Sequence, residues 1–261
     1  MKANYHTHTY RCHHASGTER EYIEEAIRHG LRVLGFSDHS PYIFRDGHYS
    51  SFRMFPEELE GYVKTLSDLR DEYADRIEIH IGLEAEYYPA NWEDYISFLR
   101  GKGVEYLILG QHFAGRETPD VLYSAGASDS VQRLKDYVDT VVAGAQTGLF
   151  SYVAHPDMIN FTGDHDLYIS ELNRLADGIQ SAGLPFEINL LGLREGRNYP
   201  TEVFFKILEE RNAPVILGSD AHEAKYVYHE KTINRAMEIA RKYHLNVTEE
   251  IDITRLKRNG I

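Results

Sequence analysis

The sequence predicts an α/β fold in which a parallel β-sheet is covered by helices. Short apolar runs alternate with longer amphipathic stretches seven times along the 261 residues, and this alternation is typical of parallel strands joined by crossover helices. At this length a closed or nearly closed barrel is favoured over an open sheet. The open, doubly wound sheet is the alternative, but no glycine-rich nucleotide-binding turn follows the first predicted strand.

Each predicted unit consists of a strand followed by a helix. The first helix shows the pattern, because Ile23, Ala26 and Ile27 share one face and Gly30 follows as a stop signal. The predicted strands cover residues 4–7, 33–37, 77–84, 106–110, 152–155, 185–189 and 215–219. The predicted helices cover residues 19–29, 56–73, 92–100, 130–147, 166–181, 201–210 and 229–243. No Ser/Gly linker or low-complexity tract separates these units, so we expect one domain over residues 1–261.

Composition and charge argue against several classes of protein. The net charge of −13 argues against nucleic-acid binding through a broad basic surface. No apolar run approaches the ~18 residues of a membrane span, and the N-terminal residues MKANYHTHTY lack the apolar core of a signal peptide. The single cysteine, Cys12, excludes an internal disulfide framework. We therefore expect a cytoplasmic protein that does not bind nucleic acid or span a membrane, in an oligomeric state that the sequence does not specify.

Histidines and acidic residues gather at the same end of at least six of the seven predicted strands. They are His6, His8, Asp38, His39, Glu84, His112, His155, Asp220 and His222. Any one of them alone would more often be a solvated or packed residue, but random placement would scatter them among helices and loops. Because parallel barrel strands end on one face, these residues are expected to converge there. Five other histidines fall on helices, mid-strand or in loops and are interpreted as structural or solvated: His29, His80, His165, His229 and His244.

The residue types in this pattern indicate a site for divalent metal ions. Imidazole nitrogens and carboxylate oxygens suit zinc, iron or manganese, and the sequence has no thiolate cluster. His6 and His8 point to the same side of a strand, because side chains alternate with a period of two. A carboxylate such as Glu84 can bridge two ions, and neighbouring ions can lower the pKa of a bound water.

The motifs that carry these residues resemble the polymerase-and-histidinol-phosphatase (PHP) superfamily. They occur in order along nearly the whole chain: HTHT at 6–9, FSDHSP at 36–41, GLEAEY at 82–87, GQHF at 110–113, AHPD at 154–157 and GSDAH at 218–222. The resemblance implies a distorted seven-stranded β/α barrel, with the metal site at the carboxyl ends of the strands. It also implies three metal positions.

The resemblance assigns ligands to each of these positions. The first ion would be held by His6, His8, Glu84 and Asp220. Glu84 would bridge to a second ion held with His112 and His155. The third would be held by His14, His39 and His222, with the adjacent His13 as the competitor for His14. Asp38 resembles a neighbouring carboxylate that orients a ligand.

Within the superfamily, the chain is similar to the histidinol-phosphate phosphatases. The similar segments are HTHTYRCHH at 6–14, the arginine-containing segment at 53–62, and EINLLGLREGRNYP at 187–200. The resemblance implies that Arg194 holds the substrate phosphate, for which a planar guanidinium is suited. Some of these enzymes have an arginine five residues after the histidine of strand five, where this chain has Asn160. Arg53, Arg116 and Arg197 are candidates to replace that arginine.

The expected function is metal-dependent hydrolysis of a small phosphate ester, with L-histidinol phosphate as the leading substrate. Glu84, Asp38 and Arg194 are the expected catalytic residues. Another small phosphomonoester and a phosphotyrosine protein are the alternatives within the enzyme class. The non-enzymatic alternative is a metal-binding module without catalysis, which is disfavoured because all nine expected ligands are present. Cys12 has no partner set for nucleophilic catalysis and is interpreted as a small packed residue.

Overall fold

The computed structural model of the chain describes residues 1–45, 47–114, 117–118 and 120–261. The described residues form one parallel sheet of eight strands whose spatial order follows the sequence. The strands are β1 (Ala3–Asn4), β2 (Val33–His39), β3 (Glu78–Ala85), β4 (Tyr106–Leu109), β5 (Phe150–Val153), β6 (Phe186–Asn189), β7 (Pro214–Gly218) and β8 (Asn246–Val247). This strand order differs from an open doubly wound sheet, in which the order reverses at a switch point.

Helices connect the strands, and most of them begin at a residue whose side chain caps the first turn. The α-helices among the described residues are α1 (Glu19–Arg28), α2 (Leu59–Glu72), α3 (Trp92–Leu99), α4 (Val131–Gln146), α5 (His165–Ser181), α6 (Leu190–Glu195), α7 (Glu202–Glu210), α8 (Glu230–Lys242) and α9 (Arg255–Arg258). Thr18 and Glu21 form a reciprocal capping box at α1. Ser130, Asp164 and Thr201 accept a hydrogen bond from the first turn of α4, α5 and α7. Among the described residues, none of these helices has the length and apolar character needed to cross a membrane.

The sheet curls until its first and seventh strands meet at their carboxyl ends. Thr7, just beyond β1, forms a parallel bridge with Ala221, just beyond β7. The amide of His8 donates to the carbonyl of Ala221 at 3.0 Å. At the opposite end, β7 pairs instead with β8, through Pro214 and Val215. The segment that carries His6 and His8 is therefore adjacent to the segment that carries Asp220 and His222.

The structure differs from the sequence-based prediction of seven strand–helix units in three additional elements and in the start of one helix. The eighth strand was not predicted, because its two residues, Asn246 and Val247, contain no apolar run. The helix α6 follows β6 without a break, so its residues Leu190, Leu191 and Leu193 extend the apolar run of the strand and hide the helical period. The short helix α9 has one buried residue, Leu256, which is too little for a periodic signal. The helix predicted to begin at residue 56 begins at Leu59 instead, because Pro56–Glu58 form a 3-10 turn before α2.

The two faces of the sheet pack into two separate cores. Leu107 and Leu109 of β4 belong to the large core between sheet and helices. Tyr106 and Ile108, which alternate with them, belong to a small cluster with Tyr5 and other residues of the inner face. The small cluster joins residues from in and beside β1, β4, β5 and β7, which can touch only because the sheet is curled. Ile251 and Ile253, from the C-terminal segment, pack against it.

We expect Tyr106→Phe to destabilise the fold. The Tyr106 hydroxyl is buried and lies 2.9 Å from the carbonyl oxygen of Tyr5 and 3.0 Å from that of Phe36. Removing it deletes the buried hydrogen bonding of this hydroxyl, which contributes about 0.5–1.5 kcal/mol to the free energy of unfolding. Urea denaturation measures this loss. Tyr10→Phe is the control, because Tyr10 is 48% exposed and should change stability by less than about 0.5 kcal/mol. Equal stability of the two variants would contradict the assignment.

Candidate metal centre

All nine predicted metal ligands bring a donor atom into one cluster at the carboxyl end of the sheet. Five overlapping groups have ligand atoms within 4.8 Å of one another. Four of these groups contain only predicted ligands: His14–His39–His222, His6–His155–Asp220, His6–His8–Glu84 and His39–Glu84–His112. The fifth contains Cys12 with His8 and His222. We call the nine residues the histidine cluster: His6, His8, His14, His39, Glu84, His112, His155, Asp220 and His222.

Glu84 lies at the centre of the histidine cluster. It is the penultimate residue of β3 and is 1% exposed. Its Oε1 atom is 2.8 Å from Nε2 of His155, and its Oε2 atom is 3.1 Å from Nδ1 of His39. Three further imidazoles lie within 3.6 Å of its two oxygens, those of His6, His8 and His112. One carboxylate therefore faces five imidazoles, which is an arrangement able to bridge ions.

Asp220 forms the second acidic position of the cluster. Its Oδ1 atom is 3.2 Å from Nε2 of His8, 3.7 Å from Nε2 of His6 and 3.4 Å from Nδ1 of His222. Its backbone has a φ of 47°, and that of His155 is 31°. Non-glycine residues rarely adopt this left-handed region, and such strain is found at functional sites.

The choice between His13 and His14 is decided by the backbone. The chain turns sharply at His13, which has a φ of 66°. Its ring lies against Phe55, 4.9 Å between centroids. The next residue, His14, points into the cluster and places its Nε2 atom 2.9 Å from that of His222. The structure thus brings the predicted residue, and not its neighbour, to the cluster.

Several buried polar atoms of the cluster have no hydrogen-bond partner among the described residues. They are Nε2 of His6, both ring nitrogens of His8, Nδ1 of His39, Oε2 of Glu84 and Nδ1 of His155. Buried polar atoms without a partner are rare and costly. Five of these six atoms belong to imidazoles, whose unprotonated nitrogens are ligands for zinc, iron or manganese. The donor set therefore fits divalent ions.

The electrostatics of the cluster keep both carboxylates ionised. Burial by itself would raise the pKa of Glu84, but the imidazoles of His112 and His6 outweigh it and hold this pKa well below its usual range. Burial opposes ionisation of Asp220 in the same way, and His6 and His8 again hold the pKa well below its usual range. Conversely, burial would lower the pKa of His8, but the neighbouring carboxylates of Asp220 and Asp38 raise it to about 9. Opposite charges thus stabilise one another before any ion binds.

A layer of hydrogen bonds behind the ligands fixes their orientation. Glu187 of β6 accepts from Nδ1 of His6 at 2.7 Å and from the backbone amide of His155 at 2.9 Å. Asn189 donates to Glu187 at 2.9 Å and to Oδ2 of Asp220 at 3.0 Å. Such outer partners set which ring nitrogen faces the metal. Glu187 is not among the site residues predicted from the sequence, although an acidic residue inside a buried strand is a usable signal.

Asp38 lies behind the cluster, where it was predicted to orient a ligand. It is fully buried, and its Oδ1 atom is 3.4 Å from Nδ1 of His8. Thr9 donates a hydrogen bond to its other oxygen. Cys12 is also fully buried nearby, and its thiol donates to the carbonyl of Thr9 at 3.1 Å. Because burial raises the pKa of this thiol, Cys12 stays protonated and packs as a small residue.

A pocket of about 920 Å³ opens onto the cluster. Six members of the histidine cluster line it, whereas His6, His8 and Glu84 lie beneath that surface. Arg194 and Arg197 line the side formed by α6 and the turn after it. The guanidinium of Arg194 stacks over the ring of Tyr226 at 3.7 Å. Arg197 is held by Glu195 at 2.7 Å and by the hydroxyl of Tyr199 at 2.9 Å.

Position 160 is Asn160 in this chain, and three arginines are candidates to bind phosphate in place of the arginine that some related enzymes have there. These three arginines lie in different surroundings. Arg197 lines the pocket. Arg53 does not: it is 2% exposed, and its guanidinium is occupied by Glu86 and Glu117. Arg116 lies outside the described residues. Asn160 itself donates to the carbonyl of Ala125 at 3.1 Å, so it supports the pocket loop that carries Ala125.

A comparison of the sequence with models of known protein families identifies the family of this chain. The family model of the PHP domain matches residues 4–190. The chain belongs to the PHP family. This match covers most of the chain and includes seven of the nine members of the histidine cluster, since Asp220 and His222 follow it.

Three of the proteins that are similar to this chain have names that refer to the same reaction. A probable histidinol-phosphatase of Deinococcus radiodurans is 30% identical over 224 residues, which cover 84% of this chain and 85% of that protein. The histidinol-phosphatase of Bacillus subtilis is 27% identical over 254 residues, covering 86% and 94%. A crystal structure of histidinol phosphate phosphatase from Lactococcus lactis, complexed with zinc, L-histidinol and phosphate, matches with a TM-score of 0.73. It is 21% identical and covers 96% of this chain and 98% of that chain, so this likeness shows a shared fold.

We expect Gly110→Ala to weaken metal binding. A methyl group at Gly110 would overlap the carboxylate of Glu84, so the side chain at the centre of the cluster would have to move. Disturbing the geometry of one ligand should lower metal affinity by at least about 10-fold. Competition with a chromogenic chelator measures this affinity. Gly61→Ala is the matched control, because a methyl group there meets open space. Metal binding by Gly110→Ala as tight as that of the unmodified chain would refute this placement of Glu84.

Proposed function

We propose that this chain is a metal-dependent phosphomonoesterase that hydrolyses L-histidinol phosphate to L-histidinol and phosphate, a step of histidine biosynthesis. The observation that carries the proposal is the histidine cluster, seven of whose nine potential ligands are buried, beneath a pocket whose wall presents two arginines. The relative that is 30% identical over most of both chains, and is named a probable histidinol-phosphatase, supports the choice of substrate.

The proposal assigns three divalent ions, zinc, iron or manganese, to the cluster. His6, His8, Glu84 and Asp220 would hold the first, Glu84 with His112 and His155 the second, and His14, His39 and His222 the third. Such ions, when bound, supply positive charge against the phosphate and acidify water. The proposal also includes a barrel of the (β/α)7 type that has its metal site at the carboxyl ends of the strands. This barrel forms one domain over residues 1–261.

The residues of the chain have distinct roles in this proposal. Arg194 binds the phosphate with a planar, bidentate guanidinium, and its stacking on Tyr226 holds that plane in place. Arg197 faces the same pocket and supplies a second cation. Asp38 holds the ring of His8 from behind. Glu84 stays ionised because imidazoles surround it, so it can join two ion positions.

The lining of the pocket supports a phosphate ester that carries a ring. Two of the lining residues, Arg194 and Arg197, are cations suited to an anionic phosphate. Phe52, Phe113 and Tyr123 add aromatic surface to the same pocket, and aromatic surfaces favour stacking with planar organic groups. Histidinol phosphate combines both features, because it joins a phosphate to an imidazole ring.

Substrate preference tests the proposal most directly. We expect the purified, metal-loaded protein to release phosphate from histidinol phosphate with a kcat/KM at least ~100-fold higher than from nucleotide, sugar and tyrosine phosphates, which corresponds to about 3 kcal/mol of discrimination. Chelation should abolish release, because clustered ligands without ions cannot neutralise the phosphate. Broad activity without preference would retain the phosphatase but reassign its substrate. No release from any ester, with metal shown to be bound, would favour a non-catalytic module.

We expect Arg194→Met to lower kcat/KM for histidinol phosphate by about 10- to 100-fold. The hydrogen bonds that this change removes are to a charged group and contribute about 1.5–3 kcal/mol. Steady-state phosphate release measures the effect. Lys225→Met is the matched control, since Lys225 packs on the same Tyr226 ring at 4.7 Å but does not line the pocket. A similar decrease in both variants would show that the ring, and not phosphate binding by Arg194, is responsible.

A further inference from the structure

Arg53 is a buried cation that the proposed chemistry does not use. It lies in the segment between β2 and α2 and is 2% exposed. Its guanidinium donates to both oxygens of Glu86, at 2.6 and 2.7 Å, and its Nε atom donates to Glu117 at 2.9 Å. Burying an arginine is costly unless its charge and donors are satisfied. The two carboxylates satisfy this requirement, so the position of Arg53 is closely defined.

One of these carboxylates connects Arg53 to the histidine cluster. Glu86 Oε1 lies 2.7 Å from Nδ1 of His112. The other ring nitrogen of His112, Nε2, faces Glu84 at 3.6 Å. Because the contact with Glu86 places the ring proton on Nδ1, it leaves Nε2 as the nitrogen that can bind an ion. A continuous series of contacts therefore runs from Arg53 through Glu86 to a proposed metal ligand.

The same guanidinium joins two segments that form the pocket wall. Phe52, next to Arg53 in the chain, lines the pocket, and its ring lies 4.5 Å from the guanidinium carbon. Glu117 belongs to the segment after β4, which also contributes Phe113 and Tyr123 to the pocket lining. Without a cation between them, Glu86 and Glu117 would repel each other in a buried site. Their separation would withdraw Glu86 from His112 and open this side of the pocket.

We propose that Arg53 is a positioning residue that couples the pocket wall formed by Phe52 and Phe113 to the orientation of the metal ligand His112. Glu86 transmits the coupling on one side, and Glu117 anchors the wall on the other. This inference rests on the proposed metal centre. It distinguishes Arg53 from Arg194 and Arg197, because Arg53 acts through other residues and does not contact the substrate.

Three variants of the full chain test this role. Arg53→Met removes the charge and all donors, whereas Arg53→Lys keeps a charge but not the bidentate geometry. Arg211→Met is the matched control, since Arg211 also bonds two side chains, those of Asp177 and Asn173, at 2.9 and 2.8 Å. Arg211 does not line the pocket. The control therefore removes a well-bonded arginine without touching the series that leads to His112.

The readouts are zinc affinity by chelator competition, the protected Nδ1–H resonance of His112 in the NMR spectrum, and the melting temperature. We expect Arg53→Met to weaken zinc binding by about 10- to 100-fold and Arg53→Lys by a smaller factor, as for other partners of metal ligands. Both should lose protection of the His112 proton. Arg211→Met should lower the melting temperature and leave zinc affinity and the His112 resonance unchanged.

The outcomes separate this inference from the proposed function. If Arg53→Met or Arg53→Lys lowers only the melting temperature, with zinc affinity and the His112 resonance as in the unmodified chain, the positioning role is overturned and the metal centre stands. Should Arg53→Met not fold, Arg53→Lys decides by the same readouts. If the unmodified chain binds no zinc, iron or manganese, the metal centre itself fails and the inference fails with it.

Discussion

The buried carboxylate of Glu84 is the group on which the rest of the site depends. It is placed at the end of β3 and faces imidazoles from five other positions in the chain. A buried anion is tolerated only when charge and hydrogen bonds compensate it. Each imidazole that approaches Glu84 supplies part of that compensation. The segments that carry these imidazoles are therefore held close to one another around the carboxylate of Glu84.

The alternation of side chains along a strand supplies both a ligand and its support. Glu84 lies in β3, and Glu86 follows two residues later, one residue beyond the end of the strand. The first faces the cluster, and the second binds His112 from outside it and extends to Arg53. In β6, Glu187 and Asn189 repeat this spacing and support His6 and Asp220. A spacing of two residues thus places residues of the histidine cluster and residues that hydrogen-bond to that cluster on the same strand or directly after it.

By itself, the sequence determined the alternation of strands and helices and the identity of eight of the nine residues of the histidine cluster, all except His14. Both are local signals. The spacing of apolar residues indicates a helix or a strand, and short motifs at the ends of strands contain the residues with donor atoms. Occupancy of the cluster by ions stays a prediction. The sequence did not reveal β8 or α6, because two residues or an uninterrupted apolar run carry no separate period.

Only the tertiary structure decided how side chains meet. It selected His14 over His13 through a left-handed turn at His13, and it placed Arg53 in the protein interior although Arg53 was a candidate for binding phosphate. It also revealed Glu187 and Glu86 as partners of ligands 181 and 26 residues away. The physical reason is that a side chain's partner depends on the curl of the sheet and on which residues share its buried face, and neither is encoded by spacing along the chain.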